Sequence, residues 1–432
     1  MPINVKRFFR ACNPSATLDV SNPEDRKYYI DFSTVRSGNL IRELKRTIDF
    51  SDDPTCQLFT GHIGCGKSTE LLRLKAELED QNYHVVYFES SDQLDMGDID
   101  ITDILFVIAR KISESLAEIQ IEIKPGYFSR LFDDIKDFLQ SDIDLSAGID
   151  LPLGLAKITA KTKDSSKIRS KLRDYLEPRT DNIVKSINKD VLETADRKLM
   201  ELGKEGLVVI VDNLDRIDNT PKPSGRSQPE YIFFDRGEQL RNLKCHLLYT
   251  IPLTLIFSSD SSILNSRFGV KPKVLPMIPV QSREGEPYEE GSGLLKQMVM
   301  ARAFPDLDEA GRLGVIEEMF ENSDMLDRLC RISGGHVRNL MGFLFSCLQK
   351  EDPPFPEYIM EEVIREYRDD LAKKVTSNEW KLLQQVVKDQ SVAGEEEYQA
   401  LLRSMFVFEY QDKNGVWFGV NPLITEMEKS WS

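Results

Sequence analysis

The 432-residue chain contains no CxxC pair; its six cysteines (Cys12, Cys56, Cys65, Cys245, Cys330 and Cys347) are scattered, and there are only four histidines. That excludes a disulfide scaffold and the usual zinc modules. No apolar run reaches the length of a bilayer span, and the first ten residues lack the apolar core of a signal peptide. The expectation is a cytoplasmic protein with no membrane partner, in a reducing setting. Positive charge is in deficit: 56 Lys and Arg face 72 Asp and Glu, a formal net charge of −16. A protein that coats nucleic acid non-specifically needs the opposite balance. What the chain does have is 41% hydrophobic and 30% charged residues, enough for packed cores under a solvated surface. Its length suits about three domains.

One motif sets the class. The strand-like run Gln57-Leu58-Phe59-Thr60 leads into Gly61-His62-Ile63-Gly64-Cys65-Gly66-Lys67-Ser68. After it, Thr69 opens a helical pattern with Leu71, Leu74 and Leu78 on one side. This is GxxxxGK[ST] between a strand and a helix. Glycines let backbone N–H groups turn around a phosphate, and the helix N-terminus adds partial positive charge. Lys67 is expected to reach the β- and γ-phosphates of ATP or ADP, and Ser68 to ligate Mg²⁺, on a solvent-accessible loop.

The second element is the continuously apolar Leu207-Val208-Val209-Ile210-Val211, ending in Asp212. Such a run suits a strand buried on both faces of a parallel sheet. Asp212 is expected to complete the Mg²⁺ shell with Ser68. Asn213 follows and cannot act as a base, which predicts slow hydrolysis. Two carboxylates remain as candidate bases: Asp215, whose alternative role is an ion pair or helix cap, and Glu89, ending the strand Val85-Val86-Tyr87-Phe88. Thr250, ending His246-Leu247-Leu248-Tyr249, is a candidate γ-phosphate sensor or an ordinary strand end. Val274 to Ile278 reads as the last core strand.

These residues resemble a P-loop ATPase of the AAA+/STAND group, with origin-recognition, KAP and bacterial STAND ATPases as analogues. Asp212-Asn213-Leu214-Asp215-Arg216 is similar to the KAP-type pattern. The resemblance implies an α/β P-loop NTPase fold, a three-layer αβα with a parallel sheet, followed by a helical lid and a winged helix. The expected division is 1–55 as a lead-in, 56–285 as the nucleotide-binding domain with an insertion at about 120–200, 286–365 as the lid and 366–432 as the winged helix. Helical periodicity covers Leu294 to Ala303, Glu309 to Phe320 and a helix to about Leu348. Gly334-Gly335-His336-Val337-Arg338 resembles the sensor 2 segment, which makes Arg338 a phosphate-reaching arginine. Ser266-Arg267-Phe268 resembles the segment that carries an arginine finger, so Arg267 is a candidate for action on a neighbouring subunit, or else a surface ion-pair former. Ile30 and Val35 stand where relatives wrap adenine; they are base-contacting or core residues. Thr376 and Glu379 have capping-box spacing, and Asn414-Gly415 between two strand-like runs signals a hairpin. In the STAND comparison the winged helix folds back on the nucleotide domain through a histidine, and the matching position here is Asn421.

The insertion is the least familiar part. Residues 142–162 alternate like a strand, and Leu151, Leu153 and Leu155 suit a protein contact. Residues 156–189 carry ten Lys and Arg against four Asp and Glu, which is a solvated face, a nucleic-acid contact or a dock for an acidic protein. The function expected is a slowly hydrolysing regulatory ATPase, a switch that self-associates or controls a separately encoded partner protein, as in bacterial defence systems. The alternative is a DNA-associated AAA+ ATPase, a loader or regulator of replication or transposition that oligomerises on DNA.

Overall fold

The computed structural model describes residues 3–36, 38–123, 166–222 and 224–428, with isolated positions between 126 and 138. The helices referred to below are α1 (Val5–Ala11), α2 (Leu40–Asp49), α3 (Lys67–Glu79), α4 (Ile101–Glu118), α5 (Ser166–Leu176), α6 (Glu289–Ala303), α7 (Asp324–Ser333), α8 (Val337–Lys350), α9 (Glu357–Ala372), α10 (Ser377–Asp389), α11 (Glu396–Arg403) and α12 (Pro422–Glu428). The strands are β1 (Cys56–Gly61), β2 (His84–Glu89), β3 (Leu207–Asp212), β4 (His246–Thr250), β5 (Lys273–Leu275), β6 (Val407–Asp412) and β7 (Gly415–Val420).

β1 to β5 form one parallel sheet in the order β2-β3-β4-β1-β5. Every residue of β3 is buried, as its unbroken apolar run requires. One face of the sheet packs on α4, α5 and the helices through Leu199; the other packs on α2 and α3. α2 starts where Asn39 Oδ1 accepts from the Arg42 amide at 2.9 Å, satisfying one of the orphan donors of a helix start. This is an α/β P-loop NTPase fold.

The lid is α6 to α9, with its own core. α1 belongs to it: Phe8 is buried in that core, and the Phe9 ring lies 4.4 Å from Phe345. The helix expected over Glu309–Phe320 is shorter, because Glu309–Leu313 ends at a Gly314 cap and only a single turn, Ile316–Glu318, follows. α10, α11, the β6–β7 hairpin and α12 give the winged-helix order. Thr376 caps α10 with Glu379 reaching back at 2.7 Å. Among the described residues no helix is long and apolar enough to cross a membrane.

The hairpin does not pack only within its own module. Phe408, Tyr410 and Trp417 join the sheet core beside α2 and α3, while Val407 and Phe418 face the winged-helix core. Burying three aromatics contributes roughly 1.5–3 kcal/mol each, so the winged helix is docked by a substantial apolar contact. The lid docks through the turn before α8. Gly335 has φ +75°, and a Cβ there would lie 1.7 Å from the Ile278 carbonyl oxygen; only glycine fits.

Gly335→Ala should therefore cost on the order of 2–4 kcal/mol in a denaturant melt, through strain and the clash with Ile278. Gly293→Ala, in open space on α6, should be neutral or slightly stabilising. Equal melts for the two variants would contradict the docking geometry.

Candidate functional site

β1 delivers the chain into Gly61–Ser68, and α3 begins at Lys67. Gly66, at φ +106°, turns the loop into α3. Gly64, at φ +86°, sits under the lid; a Cβ there would meet His336 Nε2 at 2.7 Å and Arg338 Cβ at 2.8 Å. The Arg36 guanidinium braces the loop by donating to the Cys65 carbonyl at 2.6 Å.

Lys67 is buried, not on a solvent-facing loop as the sequence reading has it. Its Nζ donates to the Gly61 and His62 carbonyls, both at 2.8 Å, and pairs with Asp215 at 2.9 Å. Burial pulls its pKa down, but Asp215, with Cys65 and Asp212, together outweigh this and the net shift is up. Asp215 Oδ1 is buried without a hydrogen-bond partner. Asp212 is fully buried at the end of β3, where Tyr87 donates to Oδ2 at 2.8 Å and the Ser68 hydroxyl is also hydrogen-bonded. Burial, then Asp215, push the Asp212 pKa up. Glu89 lies beside Asp212 in the sheet register; it accepts from Asn213 Nδ2 at 2.6 Å. Burial, then Asp212, raise its pKa.

A cleft of about 840 Å³ gathers Ile63, Gly64, Gly66 to Thr69, Asn213, Asp215, Arg216 and Arg338, with the N-terminal arm and Arg302 of α6 as the far wall. Arg338 docks its backbone on the loop, N–H to Gly64 O at 3.2 Å. Burial, then the like charge of Arg216, lower its pKa. Backbone turns, Lys67 and two arginines around one cleft form a site suited to a phosphate chain.

Other expected residues lie elsewhere. Ile30 and Val35 do not line the cleft; of their two readings the structure takes the core one, because both pack in the lid core. Thr250 Oγ1 is fully buried and accepts from the Leu214 amide at 3.0 Å; it holds the Asn213–Arg216 turn and does not face the cleft. Arg267 pairs with Glu238 at 3.5 Å on the surface. Asn421 is buried, donating to Met405 O at 3.0 Å and capping Leu423 at 3.1 Å, so it does not reach the phosphate loop. Part of the basic stretch turns inward: Arg169 is buried against Asp98 and Asp103, and Arg173 pairs with Asp98. Residues 142–163, with Leu151, Leu153 and Leu155, lie outside the described residues.

Sequence reasoning did not find the contact that ties the winged helix to the loop. His62 Nε2 accepts from the Glu409 amide at 2.9 Å, and Met277 N–H donates to Glu409 O at 2.9 Å. His336 Nε2–H donates to Ile63 O at 2.8 Å, while its Nδ1 accepts from the Asn339 amide at 3.3 Å. Phe408 stacks on His336 and meets His62 edge-on, at 5.8 and 5.7 Å. Burial, then His336, hold His62 down at about 3, and burial holds His336 down at about 4. Both rings are neutral. The only sequence signal was a histidine inside each of two glycine-rich segments.

No family model and no curated protein matches the sequence. Among solved structures, the chain is similar to the Aeropyrum pernix Orc1 protein in complex with DNA, at 10% identity and TM-score 0.39, covering 98% of this chain and 96% of that one. It is similar to a Walker-type ATPase of Pyrococcus abyssi, at 12% identity and TM-score 0.40, covering 93% and 99%. Cdc6p from Pyrobaculum aerophilum stands at 11% and 0.38, covering 94% and 98%.

The depressed histidines predict a pH dependence. Unfolding releases His336 to its ordinary pKa near 6.5, so the unfolded state takes up the extra proton and stability falls as pH drops from about 6.5 towards 4. Glu409, raised by burial to about 7, works in the opposite direction. It is common to wild type and His336→Asn, and cancels in their difference. Between pH 7 and 5, wild type should lose about 2 kcal/mol more than His336→Asn in urea melts. Parallel pH profiles would contradict a buried neutral His336.

Proposed function

We propose that the chain is an ATP-binding, slowly hydrolysing ATPase of the cytoplasm that works as a switch, with nucleotide controlling how the winged helix is held. The observation that carries this is the Lys67 ammonium. It is satisfied by Gly61 O, His62 O and Asp215, and a triphosphate would compete for it. Turning Lys67 to phosphate frees Asp215 and loosens His62, the residue that holds the Glu409 amide.

In this reading the N–H groups of Gly64 to Thr69 cradle the phosphates, Lys67 and Arg338 neutralise them, and Arg216 adds a third cation. Mg²⁺ fits the site. Ser68 and Asp212 are already together, a hydroxyl and a carboxylate that suit a cation sharing its shell with phosphate oxygens. The cation would offset phosphate charge. Asp215 lines the cleft with one unpartnered oxygen, which makes it the base. Glu89 positions Asn213. Asn213, directly after Asp212, cannot act as a base, and this keeps turnover slow.

What the switch acts on has two readings. The winged helix is docked with α11 against the nucleotide module: Leu402, Arg403 and Met405 border a cavity of about 230 Å³ shared with Gly61, His62 and Asp215. Release of that module would expose a surface for a partner protein or for another copy, and Arg267, already on the surface beside Glu238, could act on a neighbouring subunit; a defence role belongs to this reading. The second reading makes DNA the partner, as it is for the Orc1 structure named above. The helix–helix–hairpin order of the C-terminal module favours it over the partner-protein reading, while Glu395, Glu396 and Glu397 at the start of α11 require contacts away from that end.

Asp215→Asn should cut hydrolysis by about 10²–10⁴-fold while retaining ATP binding, and Glu89→Gln should do less. Activity lost only in Glu89→Gln would move the base to Glu89. Lys67→Ala alone leaves Asp215 buried and unpaired, at a cost of about 3–5 kcal/mol. The binding test is therefore the double variant Lys67→Ala/Asp215→Asn, whose ATP affinity should fall by more than about tenfold in calorimetry. Unchanged affinity in that folded protein would remove the assignment.

A further inference from the structure

The far end of the cleft holds charge that the phosphate loop does not use. Arg302 of α6 is 7% exposed and lines the cleft. Its guanidinium lies 5.4 Å from the centre of the Tyr28 ring. Its Nε is buried with no hydrogen-bond partner, and among the described residues no carboxylate comes within ion-pair distance. An arginine cannot escape burial by losing its proton, and a buried charge without a counter-charge is unfavourable. The nearest acid, Asp25, has Oδ2 occupied by the Asp19 amide at 3.0 Å.

Three further cations of α1, Lys6, Arg7 and Arg10, line the same cleft. Arg7 is taken by Asp306 at 3.2 Å and the lining acid Glu24 by Lys27 at 3.1 Å, which leaves Lys6 and Arg10, one turn apart and both exposed. Phe8 and Phe9 anchor α1 on the lid, which fixes the opposite face toward the cleft. The groups acting on Arg302 are Cys12, Tyr28 and Asp25. Those acting on Arg338 are Arg216, Asp215 and Cys65. Arg302 sits against Tyr28 and Arg338 against Gly64 of the phosphate loop, so the two arginines belong to different parts of one lining.

We propose that Arg302, Lys6 and Arg10 form a second anion subsite that takes a phosphate monoester. Three positive charges, one of them a buried planar fork, suit a dianionic tetrahedral group better than a single carboxylate. The phosphate comes either from the ribose of the nucleotide held at the P-loop or from a separate molecule. This rests on the cleft being a nucleotide site.

Calorimetry separates the cases. Wild type should bind adenosine 3′,5′-bisphosphate about tenfold or more tightly than adenosine 5′-monophosphate. Arg302→Gln should bring that ratio near one. Lys6→Ala/Arg10→Ala, at exposed positions where folding is not at issue, should lower it by about threefold or more. If the wild-type ratio is one, but inorganic phosphate binds saturably to the ATP-loaded protein and this binding is lost in Arg302→Gln, the subsite stands and takes a separate phosphate. A ratio of one with no phosphate binding, or a ratio that Arg302→Gln leaves untouched, overturns the proposal. Failure of ATP itself to bind would instead overturn the nucleotide reading of the cleft.

Discussion

The structure around the cleft depends on a single buried ammonium. Lys67 Nζ holds three groups at once: the carbonyls of Gly61 and His62 and the carboxylate of Asp215. The two carbonyls fix the start of the phosphate loop, and the carboxylate fixes the turn after β3. A buried cation must be compensated wherever it points, so moving it obliges the loop and the turn to rearrange together. That rearrangement is the physical content of the proposed switch. It needs no long-range wire, because His62 is both a loop residue and the acceptor for the winged-helix hairpin.

The lid and the hairpin both meet the loop and also touch each other. Phe408 lies against His62 and His336, and Tyr410 donates to the Gly334 carbonyl at 2.7 Å. A change in the loop therefore reaches lid and winged helix through the same aromatic face. Both histidines are kept neutral by burial, which preserves the acceptor nitrogen of His62 that the Glu409 amide requires. A protonated His62 would have no lone pair to offer there.

Local features were legible in the sequence, and long-range partners were not. The phosphate loop, the apolar strand ending in Asp212, the Thr376 cap and the Asn414-Gly415 hairpin each follow from residues within a few positions of one another. Gly334-Gly335 was read as part of a sensor 2-like segment, and nothing in it named Ile278 as the backbone pressed against it. The resemblance put Asn421 where a fold-back histidine would stand. The winged helix folds back through Phe408 and Glu409 instead, because the alternation of β6 sends Phe408 and Tyr410 to the sheet while Val407 faces its own module. Ile30 and Val35 were read as base-contacting or core residues, and both pack in the lid core. Arg169 and Arg173 read as surface charge, since their partners Asp98 and Asp103 lie some seventy residues earlier. Lys67 was expected to be exposed for a similar reason: its partner Asp215 arrives from a distant strand.

The most direct measurement is amide hydrogen exchange at β6 with and without ATP and Mg²⁺. The Glu409 amide is bonded to His62 and its neighbours form the docking face, so its opening reports on the contact itself. ATP should slow exchange in Gly64–Thr69 and, in the same protein, speed exchange of the Glu409 amide by about tenfold or more. Protection of the phosphate loop with no change at Glu409 would show that nucleotide binding and winged-helix docking are independent.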